Sequence, residues 1–148
     1  METKIKIILL VEDNISDIEL TKRALKKTRI LNPLIVCEDG NEVMDYFNGT
    51  GRFEGRNTSE MPSVVLLDIK LPIMDGHEIL KWIRNNATTR NLPVVMLTSS
   101  KEEQDISKSY DLGANSYIRK PVDMAQFTEC IKQLGLYWLI MNELPHRT

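Results

Sequence analysis

Five short apolar runs, at residues 5–11, 34–37, 64–69, 94–98 and 116–118, alternate with longer segments of helical period. No other feature restricts the fold so strongly. Two parallel strands need a crossover of a dozen or more residues, and a helix usually supplies it. The runs are nearly continuous in apolar residues rather than alternating with polar ones, which suits strands covered on both faces. Between them, Ile18, Thr21, Leu25 and Thr28 share one helical face behind a cap at Asn14 or Ser16. Further helices are expected over residues 41–47, 77–84, 102–112 and 124–141, with Gly40, Gly76 and Gly113 at their boundaries. The expected architecture is α/β: five βα units doubly wound about a five-stranded parallel sheet, ending in an extended C-terminal helix.

A chain of 148 residues is long enough for one domain with a proper core. A net charge of −2 carries no polyelectrolyte signal, so neither nucleic acid nor an anionic membrane is an expected partner. The apolar stretches are too short to span a bilayer. The opening METKIKIILLVED breaks on acids and lacks a small-residue cleavage site, so a cytoplasmic location is expected. Cys37 and Cys130 lie in no metal or redox spacing and read as buried reduced thiols. His77 and His146 stand alone and read as surface residues. The basic run Lys22, Arg23, Lys26, Lys27 and Arg29 closes the first helix, where it complements the helix dipole as a solvated face.

In a doubly wound sheet the ligand crevice lies at the carboxyl ends of the strands. Glu12 and Asp13 follow the first strand, and Asp68 follows the apolar run of the third. The fourth ends in Thr98, Ser99 and Ser100, and the fifth leads to Lys120 and Pro121. Three carboxylates crowded together repel unless a cation intervenes. A hard cation such as Mg²⁺ takes oxygen ligands and keeps waters that phosphate oxygens can replace. Such a site can transfer a phosphoryl group onto a carboxylate. Asp68 would be the acceptor, Asp13 with Glu12 (partly through water) would hold the metal, and Lys120 and Thr98 would bind phosphoryl oxygens.

The set VED, DIKLPIMDG, TSS and YIRKP, in that order and at that spacing, resembles the receiver domain of two-component response regulators. The resemblance implies a flavodoxin-like (βα)5 fold, Mg²⁺ dependence and phosphorylation of Asp68 by a sensor histidine kinase. It further implies a metal ligand from the Lys70 backbone carbonyl, a switch pair of Thr98 and Tyr117, and a cis bond between Lys120 and Pro121. The long segment before the third strand and the tail LGLYWLIMNELPHRT are similar to single-domain regulators that partner phytochrome-type sensor kinases.

Other chemistries on this fold class fit less well. A flavin carrier needs a Ser/Thr-Gly-rich phosphate cradle where VEDNISD places acids, and the P-loop pattern GxxxxGK[ST] is absent. A haloacid-dehalogenase-like phosphatase puts its nucleophile in a DxDx[TV] pattern that VEDNIS lacks. A degenerate receiver that only binds partners would not need all five chemical positions filled by suitable residue types. The chain reads as a single receiver domain over residues 1–148, with no room for a helix-turn-helix output domain, so signalling would pass through protein contact. In the last helix Phe127, Ile131, Leu134 and Trp138 form one apolar stripe. Leu136, Tyr137 and Ile140 then face away from it, and a homodimer is the expected cover for that second face.

Overall fold

A computed structural model describes residues 6–99, 102–120 and 124–134. The elements run β1 (Ile8–Val11), α1 (Ile15–Lys27), β2 (Leu34–Cys37), α2 (Gly40–Asn48), β3 (Val64–Leu67), α3 (Gly76–Asn85), β4 (Val94–Thr98), α4 (Glu103–Asp111), β5 (Ser116–Arg119) and α5 (Met124–Leu134). The strands form one parallel sheet in the order β2-β1-β3-β4-β5. The order reverses between β1 and β3, so the crevice of a doubly wound sheet lies between those two strands.

The central strands β1 and β3 are apolar throughout, and β4 up to Leu97, because each serves two cores. Ile8, Leu10, Val64, Leu66, Val95 and Leu97 pack with Ile18, Ala24 and Leu25 of α1 and Phe127 and Ile131 of α5. Leu9, Val11, Val65, Leu67, Val94 and Met96 pack on the other face with Val43, Tyr46 and Phe47 of α2 and Ile79, Leu80 and Ile83 of α3. Successive strand residues point to opposite faces, so an unbroken apolar run fills both layers. Removing a large buried side chain here, Ile79 or Ile131 for example, would cost about 2–5 kcal/mol.

Helix starts follow their capping residues. The side chains of Asn14, Asp39 and Asp75 accept from the backbone N–H groups of Asp17, Glu42 and Glu78. Each satisfies one of the orphan donors of a first turn. Of the two candidate caps for α1, the structure selects Asn14.

Two strands are shorter than expected. β1 begins at Ile8 rather than at residue 5, and β3 ends at Leu67 rather than at residue 69. Asp68 still donates its N–H to Val11 O at 3.1 Å, but its side chain then turns back to accept from Ile69 N at 2.7 Å. That local bond ends the ladder. The residues of the expected last helix beyond Leu134 lie outside the described residues.

The long connection from α2 to β3 is ordered by aromatic and guanidinium contacts. Gly49, in the left-handed region at φ 66°, closes α2, and a single 3-10 turn follows over Gly51–Phe53. Phe53 meets the Tyr46 ring edge-on at 5.2 Å, and the Arg56 guanidinium lies 3.8 Å over that same ring. Arg56 also donates to the carbonyls of Asn57 and Glu60, and Arg52 donates to that of Val36. Fixing a loop of this length takes such contacts, because it has no ladder of its own.

Candidate functional site

The register of β1 against β3 builds the site. Val11 pairs with Leu67, so Glu12 and Asp68 leave the sheet side by side. Alternation continues past the strand ends. Ile8, Leu10, Val64 and Leu66 face the α1/α5 layer, and Glu12 and Asp68 are the next positions on that face. Ile118 of β5 packs on the same layer, and Lys120 lies two residues beyond it. Glu12, Asp68 and Lys120 therefore converge under the start of α1.

The carboxylates are held by backbone. Glu12 Oε2 accepts from the N–H groups of Asp13 at 3.1 Å and Asn14 at 3.4 Å, and Asp68 Oδ1 accepts from Ile69. Oxygens of Glu12, Asp13 and Asp68 all lie within 4.8 Å of one another. Glu12 and Asp68 are buried, and Asp13 is exposed. Lys120 reaches into this group. Its Nζ donates to Glu12 Oε1, to Asp17 Oδ2 at 2.8 Å and to Asp68 Oδ2 at 3.4 Å.

The charges perturb one another. Burial pushes the Glu12 carboxyl up to about 7, the Lys120 hydrogen bond opposes the rise, and the Asp68 charge adds to it. Burial alone would lower the Lys120 pKa, but the hydrogen bonds it donates to Asp17 and Glu12 and the charge of Asp68 outweigh it, so the ammonium is held charged. One ammonium against four carboxylates leaves an excess of negative charge. The Glu12, Asp13 and Asp68 oxygens are hard donors close enough together to share one divalent cation.

Gly76 sets the depth of Asp68. Its N–H donates to Ile69 O at 2.7 Å, closing the loop that carries Asp68. A Cβ at Gly76 would collide with the Asp68 carbonyl oxygen and stand 2.8 Å from both the Asp68 carbonyl carbon and Ile69 Cα. These are backbone atoms with no room to give. Only glycine lets the first turn of α3 approach the segment carrying Asp68 this closely.

The remaining expected residues fall in different places. Thr98, at the end of β4, is 1% exposed. It continues the alternation of Val94 and Met96, and its carbonyl accepts from Lys120 N at 2.8 Å, so the end of β4 lies beside Lys120. Tyr117 is half-buried and packs against the α2/α3 layer. Lys70 is exposed, as is the whole basic run of α1. Ser100, Pro121 and the expected dimer face at Leu136, Tyr137 and Ile140 lie outside the described residues, as do His146 and the expected cis bond.

Two expectations are corrected. His77 is not a surface residue: it is 4% exposed, with Nε2 2.9 Å from Ser109 Oγ. The side chain of an N-terminal helix residue is ordinarily solvated, but α4 packs across this one. Cys37 is a free buried thiol as expected, whereas Cys130 is free but only half-buried. Asp17 was not foreseen at the site. An acid in the first turn of a helix ordinarily complements the dipole, and only the packing of α1 on the sheet face that Ile118 of β5 also lines brings it to Lys120.

Comparison with known proteins agrees with this geometry. A family profile for the response regulator receiver domain matches residues 8–132. The chain is similar to the response regulator Rcp1 of Synechocystis sp., at 36% identity over 140 residues, 95% of this chain and 93% of that protein. The crystal structure of the Mn(2+)-bound form of Rcp1 is similar with a TM-score of 0.83 at 35% identity, over 95% of this chain and 99% of that one. That of the phosphorylated cyanobacterial phytochrome response regulator RcpA gives 0.86 at 36% identity, over 97% and 100%. The bacteriophytochrome response regulator AtBRR reaches 48% identity with a TM-score of 0.76, over 95% and 100%.

Proposed function

Because this chain belongs to the response regulator receiver family, we propose that it is a phosphoacceptor switch, taking a phosphoryl group on Asp68 from a sensor histidine kinase in a Mg²⁺-dependent reaction. The observation that carries this reading is the meeting of the Glu12, Asp13 and Asp68 oxygens within 4.8 Å, beside the Lys120 ammonium. A carboxylate oxygen of Asp68 attacks the phosphorus, the bond from phosphorus to the donor's imidazole nitrogen breaks, and the electron pair remains on the imidazole. A divalent cation held there would supply charge neutralisation for the transferring phosphoryl group. Glu12, Asp13, Asp68 and the Lys70 carbonyl are its proposed ligands. Lys120 pairs with a phosphoryl oxygen, since its ammonium is held charged at the acceptor.

Thr98 and Tyr117 form the proposed switch. A new phosphoryl oxygen offers the Thr98 hydroxyl an acceptor, and a shift of Thr98 frees space that Tyr117 can enter. The expected outcome for a beryllofluoride complex at Asp68 is that both side chains take new rotamers. The likeness to regulators named for phytochromes supports a sensor kinase of that type as donor, in the cytoplasm. Among the described residues no helix is long and apolar enough to cross a membrane. Output passes through protein contacts, and the apolar pattern of Leu136, Tyr137 and Ile140 supports a homodimer.

The test is Asp68→Asn, which keeps the shape and the Ile69 hydrogen bond but removes the nucleophile. Both proteins are incubated with acetyl phosphate and Mg²⁺ and weighed by mass spectrometry. The unchanged protein gains one phosphoryl mass and the variant gains none; equal gains would reject Asp68 as the acceptor.

A further inference from the structure

The three donors of the Lys120 ammonium are matched to three carboxylates, and those carboxylates are not equivalent. Glu12 Oε1 and Asp68 Oδ2 belong to residues whose oxygens cluster with Asp13 within 4.8 Å, and Asp17 stands outside that cluster. The Asp17 side chain is 33% exposed, against 2% for Glu12 and 11% for Asp68. The ammonium therefore bridges the buried acid cluster and a more solvated outer acid.

The two inner carboxylates cannot turn away from it. The second oxygen of Glu12 is tied to the N–H groups of Asp13 and Asn14, and the second oxygen of Asp68 to that of Ile69. What remains of each points at Lys120. A dication that uses those oxygens meets the ammonium as a like charge at the same atoms. The group free to move is the lysine, a point charge on a flexible four-carbon stem. Asp17 is where it can go. That residue sits on the first turn of α1, whose N-cap bond from Asp17 N to Asn14 Oδ1 is 3.0 Å, so the outer partner stays in place while the lysine shifts.

We propose that Asp17 is a positioning residue that retains Lys120 when a divalent cation takes the Glu12 and Asp68 oxygens, so that cation binding does not strand a half-buried ammonium. The inference rests on the metal-site reading above. Without Asp17, the only carboxylates within reach of Lys120 among the described contacts are those the cation needs. The lysine then competes for them, and the cation binds more weakly. Loss of the Asp17 charge also weakens cation binding directly, with the same sign. The two routes separate only when Lys120 is absent.

The experiment is a double-mutant cycle read by cation affinity. Mn²⁺ is titrated into the unchanged protein, Asp17→Asn, Lys120→Met and the double variant, and free Mn²⁺ is followed by electron paramagnetic resonance. Asp17→Asn is expected to raise the Mn²⁺ Kd on the order of tenfold with Lys120 present, which is the scale of one close charge pair. In the Lys120→Met background the expected rise is about threefold or less, the part due to charge alone. Asp17→Glu, which keeps the carboxylate, is expected to restore most of the affinity. Circular dichroism of each variant with saturating Mn²⁺ establishes that all are folded, and Asp17→Ser, which also removes the carboxylate, replaces Asp17→Asn as the lysine-dependent arm if the latter is not. Equal losses in the two backgrounds, or no loss in either, overturn the inference while leaving the metal site standing. Absence of Mn²⁺ binding by the unchanged protein overturns the metal-site reading and this inference with it.

Discussion

His77 Nε2 lies 2.9 Å from Ser109 Oγ, joining the first turn of α3 to the one buried residue of α4 among those described. The Ser109 hydroxyl donates its single proton to Asp105 O at 2.7 Å, so the imidazole must be the donor in the first bond and carries its proton on Nε2. His77 follows Gly76, the residue pressed against the Asp68 carbonyl. One polar pin therefore connects the helix behind the acceptor to a helix with little apolar anchorage.

Ser109→Ala leaves the buried Nε2–H with the Asp105 carbonyl at 3.3 Å as its remaining partner. We expect a loss of about 0.5–1.5 kcal/mol, the usual net contribution of one hydrogen bond. Hydrogen exchange followed by mass spectrometry should show faster exchange in α4 and unchanged protection in β1 and β3. Uniform acceleration across the sheet would mean that the pin is not local to α4.

Gly76→Ala drives a methyl into the backbone of Asp68 and Ile69. Overpacking of this kind costs about 1–3 kcal/mol, and here the strain falls on the acceptor itself. The expected outcome is a lower unfolding midpoint together with slower labelling of Asp68 by acetyl phosphate. Labelling at the unchanged rate would show that the loop tolerates displacement.

Cys37 offers a pH test. Burial raises its thiol from an ordinary value of 9.0 to about 12, with the nearby Glu42 charge adding to the rise. The folded state thus prefers the neutral thiol. Its contribution to stability is constant below pH 9.0 and is lost as pH rises from there toward about 12, because the unfolded chain ionises first. Alkylation by iodoacetamide at about pH 9 should modify the half-buried Cys130 well before Cys37, since the thiolate is the reactive form. Equal rates at the two sites would contradict the burial of Cys37.

The proposed homodimer has its own test. The full chain should sediment as a dimer at about tens of micromolar, where an interface of standard size holds, and Tyr137→Asp/Ile140→Asp should sediment as a monomer. A monomeric unchanged protein at that concentration ends the dimer reading.

Much of this molecule follows from local pattern. Five apolar runs separated by helix-length segments require a parallel sheet covered on both faces. The period of two in β1 and β3 then fixes which side Glu12 and Asp68 take once both are strand-terminal. The caps at Asn14, Asp39 and Asp75 act within three residues, so they too can be read along the chain. Contacts between distant segments are different in kind. The Lys120–Asp17 pair spans 103 positions, and it exists because α1 packs across the face onto which β5 delivers its lysine. His77 is buried because α4 crosses the start of α3, and nothing near His77 in the chain encodes that crossing. Thr98 comes beside Lys120 through a backbone bond, Lys120 N to Thr98 O at 2.8 Å, which depends on the register of β4 against β5. Residue type and spacing decided which groups are available at the strand ends. Which of them share a charge, a proton or a face was decided by helix packing, because burial and electrostatic coupling depend on neighbours in space rather than in sequence.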